Sequence, residues 1–488
     1  MNNIIPLFVL IPLAAAFVVT LLPRAWRSVP DVLGNGVLAV LTGMALSVVG
    51  QTGIFHLGGW QTPLGIDLRL DGLSVLLLAA VNTVGLAATL FSVAYMRDYT
   101  ATNRYYALFL FMVAGMNGVV LTGDMFNLFV FMEIAAISSY ALVAFGCEHE
   151  ELEAAFKYAI LGSVASAFIL IGVAIFYAEL GTLNMAHGST KIAARELDSP
   201  LLFALGLFIC GFGLKAALVP FHAWLPDAHP SAPAPVSAML SGVVIKALGL
   251  YVLARLIFNV FGTGEQVLAI LRWLGVVSMI VGVLLAIGQW DMKRLFAYHS
   301  ISQIGYVALG LGLGTPLGIA GGLFHLVNHS VFKSLLFLNA GAVEHATGTR
   351  QLKRLGGLYG RMPVTGKTSL VASMSIAGIP PFNGFWSKLL IVLACVESGR
   401  HGLGLAAVLV SLVTLASFLK VQKFAFFRAA PPGMGQVREV PVLMRTSMLL
   451  LAALCLGMSL LVMTGLRTPY IIGPAVQALE NVFEFAPH

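Results

Sequence analysis

The sequence predicts an all-α polytopic membrane protein of about fourteen transmembrane helices, on three observations. Of its 488 residues 59% are hydrophobic and only 10% charged, with a mean hydropathy of +0.92. A soluble domain carries about a quarter charged residues, so this chain has too few to cover a water-facing surface. The apolar residues also come in blocks of roughly 18 to 25, the length a helix needs to cross a bilayer. Finally, runs such as 76–94 and 405–418 do not alternate as barrel strands would, and a helix satisfies its own backbone in lipid.

In chain order the blocks fall at 4–22, 32–50, 73–95, 105–121, 125–146, 155–180, 201–225, 236–260, 271–289, 298–313, 317–346, 369–394, 402–427 and 446–465. The first lacks the positive leading segment of a signal peptide, since Arg24 and Arg27 follow it, and it reads as a retained helix with its N-terminus outside. The inward loops then hold Arg97, Arg104, Lys293, Arg294, Arg350, Lys353, Arg354, Arg361, Lys367, Arg428 and Arg438. The outward loops hold chiefly Lys191, Arg195 and Arg400, a bias that fits the positive-inside rule and accounts for the net charge of +7. An even number of spans puts both termini on the non-cytoplasmic side. Cys147, Cys210, Cys395 and Cys455 stand apart, which suggests neither a disulfide framework nor a metal cluster.

One pattern occurs twice. Phe156–Leu161 resembles Phe332–Phe337 at an offset of 176, and Gly211–Lys215 resembles Gly384–Lys388 at an offset of 173. Transporters are often built from repeats whose broken helices bind ions near the midplane. Here 105–260 and 271–427 would be two five-helix units, and an odd helix count inverts the second. Residues 1–104 precede them and 428–488 add a last helix and tail. Both repeated lysines lie beside helix breakers: Pro220, Pro226, Pro230, Pro233 and Pro235 follow Lys215, while Gly378, Pro380, Pro381 and Gly384 precede Lys388. Broken helices seven and twelve are expected there.

Charges inside apolar runs carry the functional argument, because each costs about 3 kcal/mol at the bilayer centre. Glu133, Lys215, Lys246 and Lys388 are the clearest. Glu133 reads either as a buried counter-ion tying helices together or as an acid paired with Lys215, whose attraction opposes the desolvation of the lysine. Lys246, 31 residues beyond Lys215, would receive its proton, and its position halfway along 236–260 makes snorkelling a long reach. His325 and His329 share one helical face. They suit a hydrogen-bonded relay better than a metal site, since no carboxylate or thiol stands at ligand spacing. Asp227 lies between His222 and His229, where it would orient a histidine at a proton inlet or cap a structural loop. Asp291, Lys293 and Arg294 read as a charged turn, Glu344 and His345 as surface groups, and Arg69 and Asp71 as candidates for an outer surface. There is no P-loop and no GxGxxG after a strand, so nucleotide chemistry within this chain is not expected, and no cofactor is implied.

Four stretches carry a resemblance: Pro220–Pro230, Pro235–Gly242, Lys293–Tyr306 and Gly378–Lys388. In these the chain is similar to the antiporter-like subunits of respiratory complex I, membrane-bound hydrogenases and Mrp-type cation/proton antiporters, most of all to the D subunit of the last. The resemblance implies fourteen helices, two inverted units and broken helices seven and twelve. It implies that Glu133, Lys215, Lys246 and Lys388 match the family's buried acid and lysines, and that His325 and His329 match the polar link between half-channels. It further implies proton translocation within a hetero-oligomer in the inner (plasma) membrane, with other membrane subunits, protons and Na+ as partners. Two alternatives stay open: a proton-pumping subunit of an NADH:quinone oxidoreductase or hydrogenase complex, and a structural subunit without its own flux.

Overall fold

The computed structural model describes residues 2–23, 26, 28–99, 101–194, 197–432, 436–463 and 472–481; Arg24, Arg27 and Arg195 of the loop-charge argument lie outside them. The chain is a polytopic helical bundle in which nine helices, among the described residues, are long and apolar enough to cross a membrane. In order the helices are α1 (Leu7–Leu21), α2 (Ser28–Ser47), α3 (Gly72–Tyr95), α4 (Thr102–Leu121), α5 (Met125–Val143), α6 (His149–Leu180), α7 (Met185–Ala193), α8 (Ser199–Lys215) and α9 (Leu225–Ser231). They continue as α10 (Ala234–Phe261), α11 (Glu265–Ile287), α12 (Met292–Gly312), α13 (Pro316–Thr347), α14 (Pro363–Ala377), α15 (Asn383–Glu397), α16 (His401–Phe427), α17 (Val442–Met463) and α18 (Gly473–Glu480).

Short polar side chains start these helices. Asp71, Asp124, Asp198, Asp291 and Thr315 each accept a bond from a backbone N–H in the first turn of the helix that follows. Two helices form the middle of the bundle. Residues 232–261, which include α10, and residues 318–343 of α13 are buried without interruption. The outer helices turn Phe17, Phe203, Leu284 and Leu412, each more than half exposed, away from the bundle.

The structure adds to the sequence reading in several elements, and the first two lie at the breaks expected beside Lys215 and Lys388. The predicted 201–225 run ends as a helix at Lys215, and the 369–394 run is two helices, α14 and α15. A small antiparallel hairpin, β1 (Gly53–His56) with β2 (Asp67–Leu70), pairs Gly53 with Leu70 and His56 with Asp67. It is held to the bundle where Gly123 N–H donates to Asp67 O (2.9 Å) and Asn184 Nδ2 donates to Asp67 Oδ1 (2.7 Å). The short helices α7 and α18 are likewise absent from the spans expected from the sequence. Both are below crossing length, so a search for long apolar blocks passes over them.

Candidate functional site

α8 stops at Lys215 because Ala217 takes a left-handed conformation (φ 56°), and the indole Nε1 of Trp224 then donates to the freed carbonyl of Leu214 (3.0 Å). The Lys215 side chain, 4% exposed, points at α5 and α6, with its Nζ 3.6 Å from Glu133 Oε1. Ser166 of α6 stands between the two: its hydroxyl donates to Glu133 Oε1 at 2.5 Å and accepts from Lys215 Nζ at 3.2 Å. Lys215 also donates to Tyr140 Oη (3.3 Å). Sequence reading found the acid and the lysine but missed the serine. A serine in an apolar helix commonly bonds its own backbone, and Gly162 O, 2.9 Å from the Ser166 hydroxyl, is the alternative acceptor for its one proton, so nothing in the sequence singled it out.

Lys246 is fully buried in α10, where wide π-helical turns run through Leu240–Val244, Lys246–Tyr251 and Arg255–Phe261. Such turns are frequent at functional positions. Its Nζ donates to the carbonyls of Ser241 (2.5 Å) and Gly242 (2.6 Å). A second fully buried lysine, Lys333 of α13, donates to Phe296 O between the rings of Phe296 and Phe337. Among the described residues, no carboxylate pairs with Lys246, Lys333 or Lys388. Lys333 was not among the expected site residues, although its place in the repeated motif is a signal. Its counterpart in that motif, Lys157, lies at the surface and pairs with Glu153 (2.7 Å) and Asp227 (3.1 Å).

The histidines connect to the last lysine. His325 is bonded at Nδ1 to Ser387 Oγ (2.9 Å) and at Nε2 to Gln303 Oε1 (3.2 Å), and its ring lies parallel to that of His329 with centroids 6.3 Å apart. Among the described residues both His329 nitrogens are buried without a protein partner, within the electrostatic reach of Lys246, Lys333, His325 and Lys388. Among the described residues no group of three metal-ligating side chains forms around the pair. Lys388, next to Ser387 on α15, donates back to Ile376 O near the end of α14 (2.7 Å) and to Ser411 Oγ (3.1 Å), and lies 4.8 Å from the Tyr306 ring centre. The two repeated lysines differ in their setting. Lys215 precedes its helix break and Lys388 follows one. No side-chain hydrogen bond joins Lys215 to Lys246 among the described residues; Ala216 packs instead on Gly249.

At one end of the bundle a cavity of about 860 Å³ is lined by Lys157, Asp227, Asp291, Arg294 and Arg350 among others. Three expectations are corrected here. Asp227 pairs with Lys157 and Arg294 (3.4 Å for the latter), not with His222 or His229, because those cations reach it from α6 and α12. Lys293 is buried, its Nζ 2.9 Å from Glu344 Oε2, so neither belongs to a plain surface turn. Burial opposes the charge on Arg350, but the Asp291 and Glu344 carboxylates more than offset it and hold the guanidinium above its ordinary value. Near the other end, Asp71 bonds Arg255 (2.5 Å), whose side chain is 5% exposed, so that acid ties α3 to α10.

Residues 122–414 match the family described as NADH:quinone oxidoreductase/Mrp antiporter, transmembrane. The chain belongs to this family. Residues 58–106 match a second family, described as the N-terminus of chain 5 of complex I. The N subunit of the NADH-quinone oxidoreductase of Desulforudis audaxviator is 37% identical, over 96% of this chain and 97% of that protein. The D subunit of the Na+/H+ antiporter of Alkalihalophilus pseudofirmus is 33% identical over 88% and 87%. A chain in the structure of the Mrp complex from Dietzia superposes with a TM-score of 0.90 at 28% identity, covering 98% of this chain and 99% of that one. The match for the NADH:quinone oxidoreductase/Mrp antiporter family spans Glu133, Lys215, Lys246, His325, His329 and Lys388.

Proposed function

We propose that the chain is the proton-translocating subunit of a multisubunit antiporter exchanging Na+ or another monovalent cation for protons. The carrying observation is that Lys246 and Lys333 lie fully buried and, among the described residues, hydrogen-bond only to backbone carbonyls. Burial disfavours an uncompensated ammonium, so each lysine is ready to give its proton to a neighbour and to take another.

In this reading the protein has fourteen spans, with 105–260 and 271–427 as inverted five-helix units, 1–104 before them and 428–488 after. Both termini face away from the cytoplasm. The gathering of Lys157, Arg294 and Arg350 around the charged cavity supports calling that end cytoplasmic. Separation of Glu133 from Lys215 frees the lysine to release its proton towards Lys246, with water bridging past the close Ala216–Gly249 contact. From Lys246 and Lys333 the proton passes to His329 and His325, and through Ser387 to Lys388. The other membrane subunits of the assembly supply the cation path.

The test is flux by the whole complex in proteoliposomes. Glu133→Gln and Lys215→Ala should each cut proton flux at least roughly tenfold while the complex assembles normally. If assembly fell before flux per complex did, the charges would be structural.

A second reading is favoured by the 37% identity to the N subunit of a quinone oxidoreductase. There the same proton path would be driven by redox subunits. Iron–sulfur or nickel–iron subunits in the purified native complex would select it.

A further inference from the structure

The connection between α9 and α10 is gripped from the other half of the chain. Arg350 Nη1 donates to Pro230 O (2.8 Å), and Lys293 Nζ donates to Ala232 O (3.2 Å). These carbonyls flank the turn that leads into the helix carrying Lys246. Both cations are themselves held by Glu344 at the end of α13: Lys293 Nζ lies 2.9 Å from Oε2, and Arg350 Nη1 donates to Oε1 at 3.3 Å. Asp291 completes the set by accepting from Arg350 Nε (2.6 Å) and from Gln351 Nε2 (3.2 Å). Nothing in the proton path described above uses any of these groups.

We propose that Glu344 is a positioning residue that clamps the Pro230–Ala232 turn through Lys293 and Arg350, and so couples α13 to the setting of the Lys246 helix. The chemistry favours this over a chance surface network. Guanidinium forks fix direction as well as charge, and here one fork is shared between two carboxylates and a backbone carbonyl. The Lys293 side chain is 3% exposed, so its ammonium depends on Glu344 as counter-ion. Without that carboxylate, both cations lose the charge that aims them at the turn. The α13 helix also carries His325, His329 and Lys333, so a shift in it is transmitted to the entrance of α10, and the reverse holds equally. The clamp closes the wall of the charged cavity, which Pro230, Ser231, Asp291 and Arg350 line.

The inference deepens the proton-transfer reading, yet its first readout does not depend on transport. Hydrogen–deuterium exchange is followed on the intact complex, comparing wild type with Glu344→Gln. Exchange in residues 226–240 should rise roughly tenfold, because charge-assisted bonds to the turn are lost. Glu344→Asp should restore most of the protection. The pH profile of proton flux per assembled complex should also shift in Glu344→Gln, which a merely structural role would leave in place. Arg350→Lys keeps the charge but loses the fork, and provides the test if Glu344→Gln fails to assemble: residues 226–240 should again exchange faster. Unchanged exchange in 226–240, with any change confined to 341–351, would overturn the clamp whatever happens to flux. Faster exchange in 226–240 with flux absent even in wild type would leave the clamp standing and remove the transport reading.

Discussion

Ser166 is the residue on which the first charge pair turns. Its hydroxyl accepts from Lys215 and donates to Glu133, so one small group sets the pair's separation at 3.6 Å. Ser166→Ala removes a bond to a charged partner from a buried site, a loss of about 1.5–3 kcal/mol, and should slow proton flux roughly tenfold or more. Ser166→Thr keeps the hydroxyl and should keep most of the flux. Wild-type rates from Ser166→Ala would show that Glu133 and Lys215 need no bridge. Glu133, Lys215, Lys246 and Lys388 were legible in the sequence because a charge in an apolar run is expensive and therefore conspicuous. Ser166 and Gln303 were not, since a neutral polar side chain in such a run has many ordinary uses. Lys293 was misread for a different reason: two neighbouring charges, Asp291 and Arg294, made it look like part of a turn, and only the approach of Glu344 from 51 residues away shows it buried.

At the scale of elements, the spacing between the first two lysines rests on bare backbone contact. Gly249, three residues beyond Lys246, faces Ala216, and a Cβ at Gly249 would meet the Ala216 Cβ at 2.6 Å and its Cα and N at 2.7 Å. Backbone atoms at a helix end cannot rotate away as a side chain tip would. Gly249→Ala should therefore push α10 from the end of α8, lower stability by about 1–3 kcal/mol and reduce flux per assembled complex more than it reduces assembly. Thermal unfolding and flux measured on the same preparation check this; full flux with a clash of this size would mean that the Lys215–Lys246 spacing does not matter. The long helices were readable from length and hydropathy alone. The hairpin β1–β2 was not, because its strands are four residues each and its anchors, Gly123 and Asn184, lie far along the chain. The ends of α8 and α14 were foreshadowed by prolines and glycines, which follow Lys215 and precede Lys388 in the sequence, so the opposite placing of the two lysines relative to their breaks was legible as well. Gly378 marks that difference, with a positive φ of 76° that a side chain would strain, and its Cβ position lies 3.0 Å from Lys388 Cδ.

For the whole molecule the decisive question is whether the proposed path uses Lys215 and Lys388 in series or as parts of two parallel channels. Among the described residues, hydrogen bonds run from Gln303 through His325 to Ser387, next to Lys388, while the ring of His329, parallel to that of His325, is buried with neither nitrogen bonded. In the proposed path the first-half lysines and Lys388 are joined by the His325–His329 stretch of α13. A proton crossing by that stretch needs the lysine at each end, so Lys215→Ala and Lys388→Ala should each abolish flux, and the double variant should be no worse than either alone. Parallel channels would behave differently: each single variant would keep roughly half the flux and only the double would lose it. Residues acting as one unit are expected to be non-additive in this way. His329→Ala supplies the cross-check, because it leaves both lysines and removes only the joint between them. If it transported at the wild-type rate while both lysine variants failed, protons would have to pass from Lys246 or Lys333 to Lys388 by water alone, and the buried histidine pair would be packing.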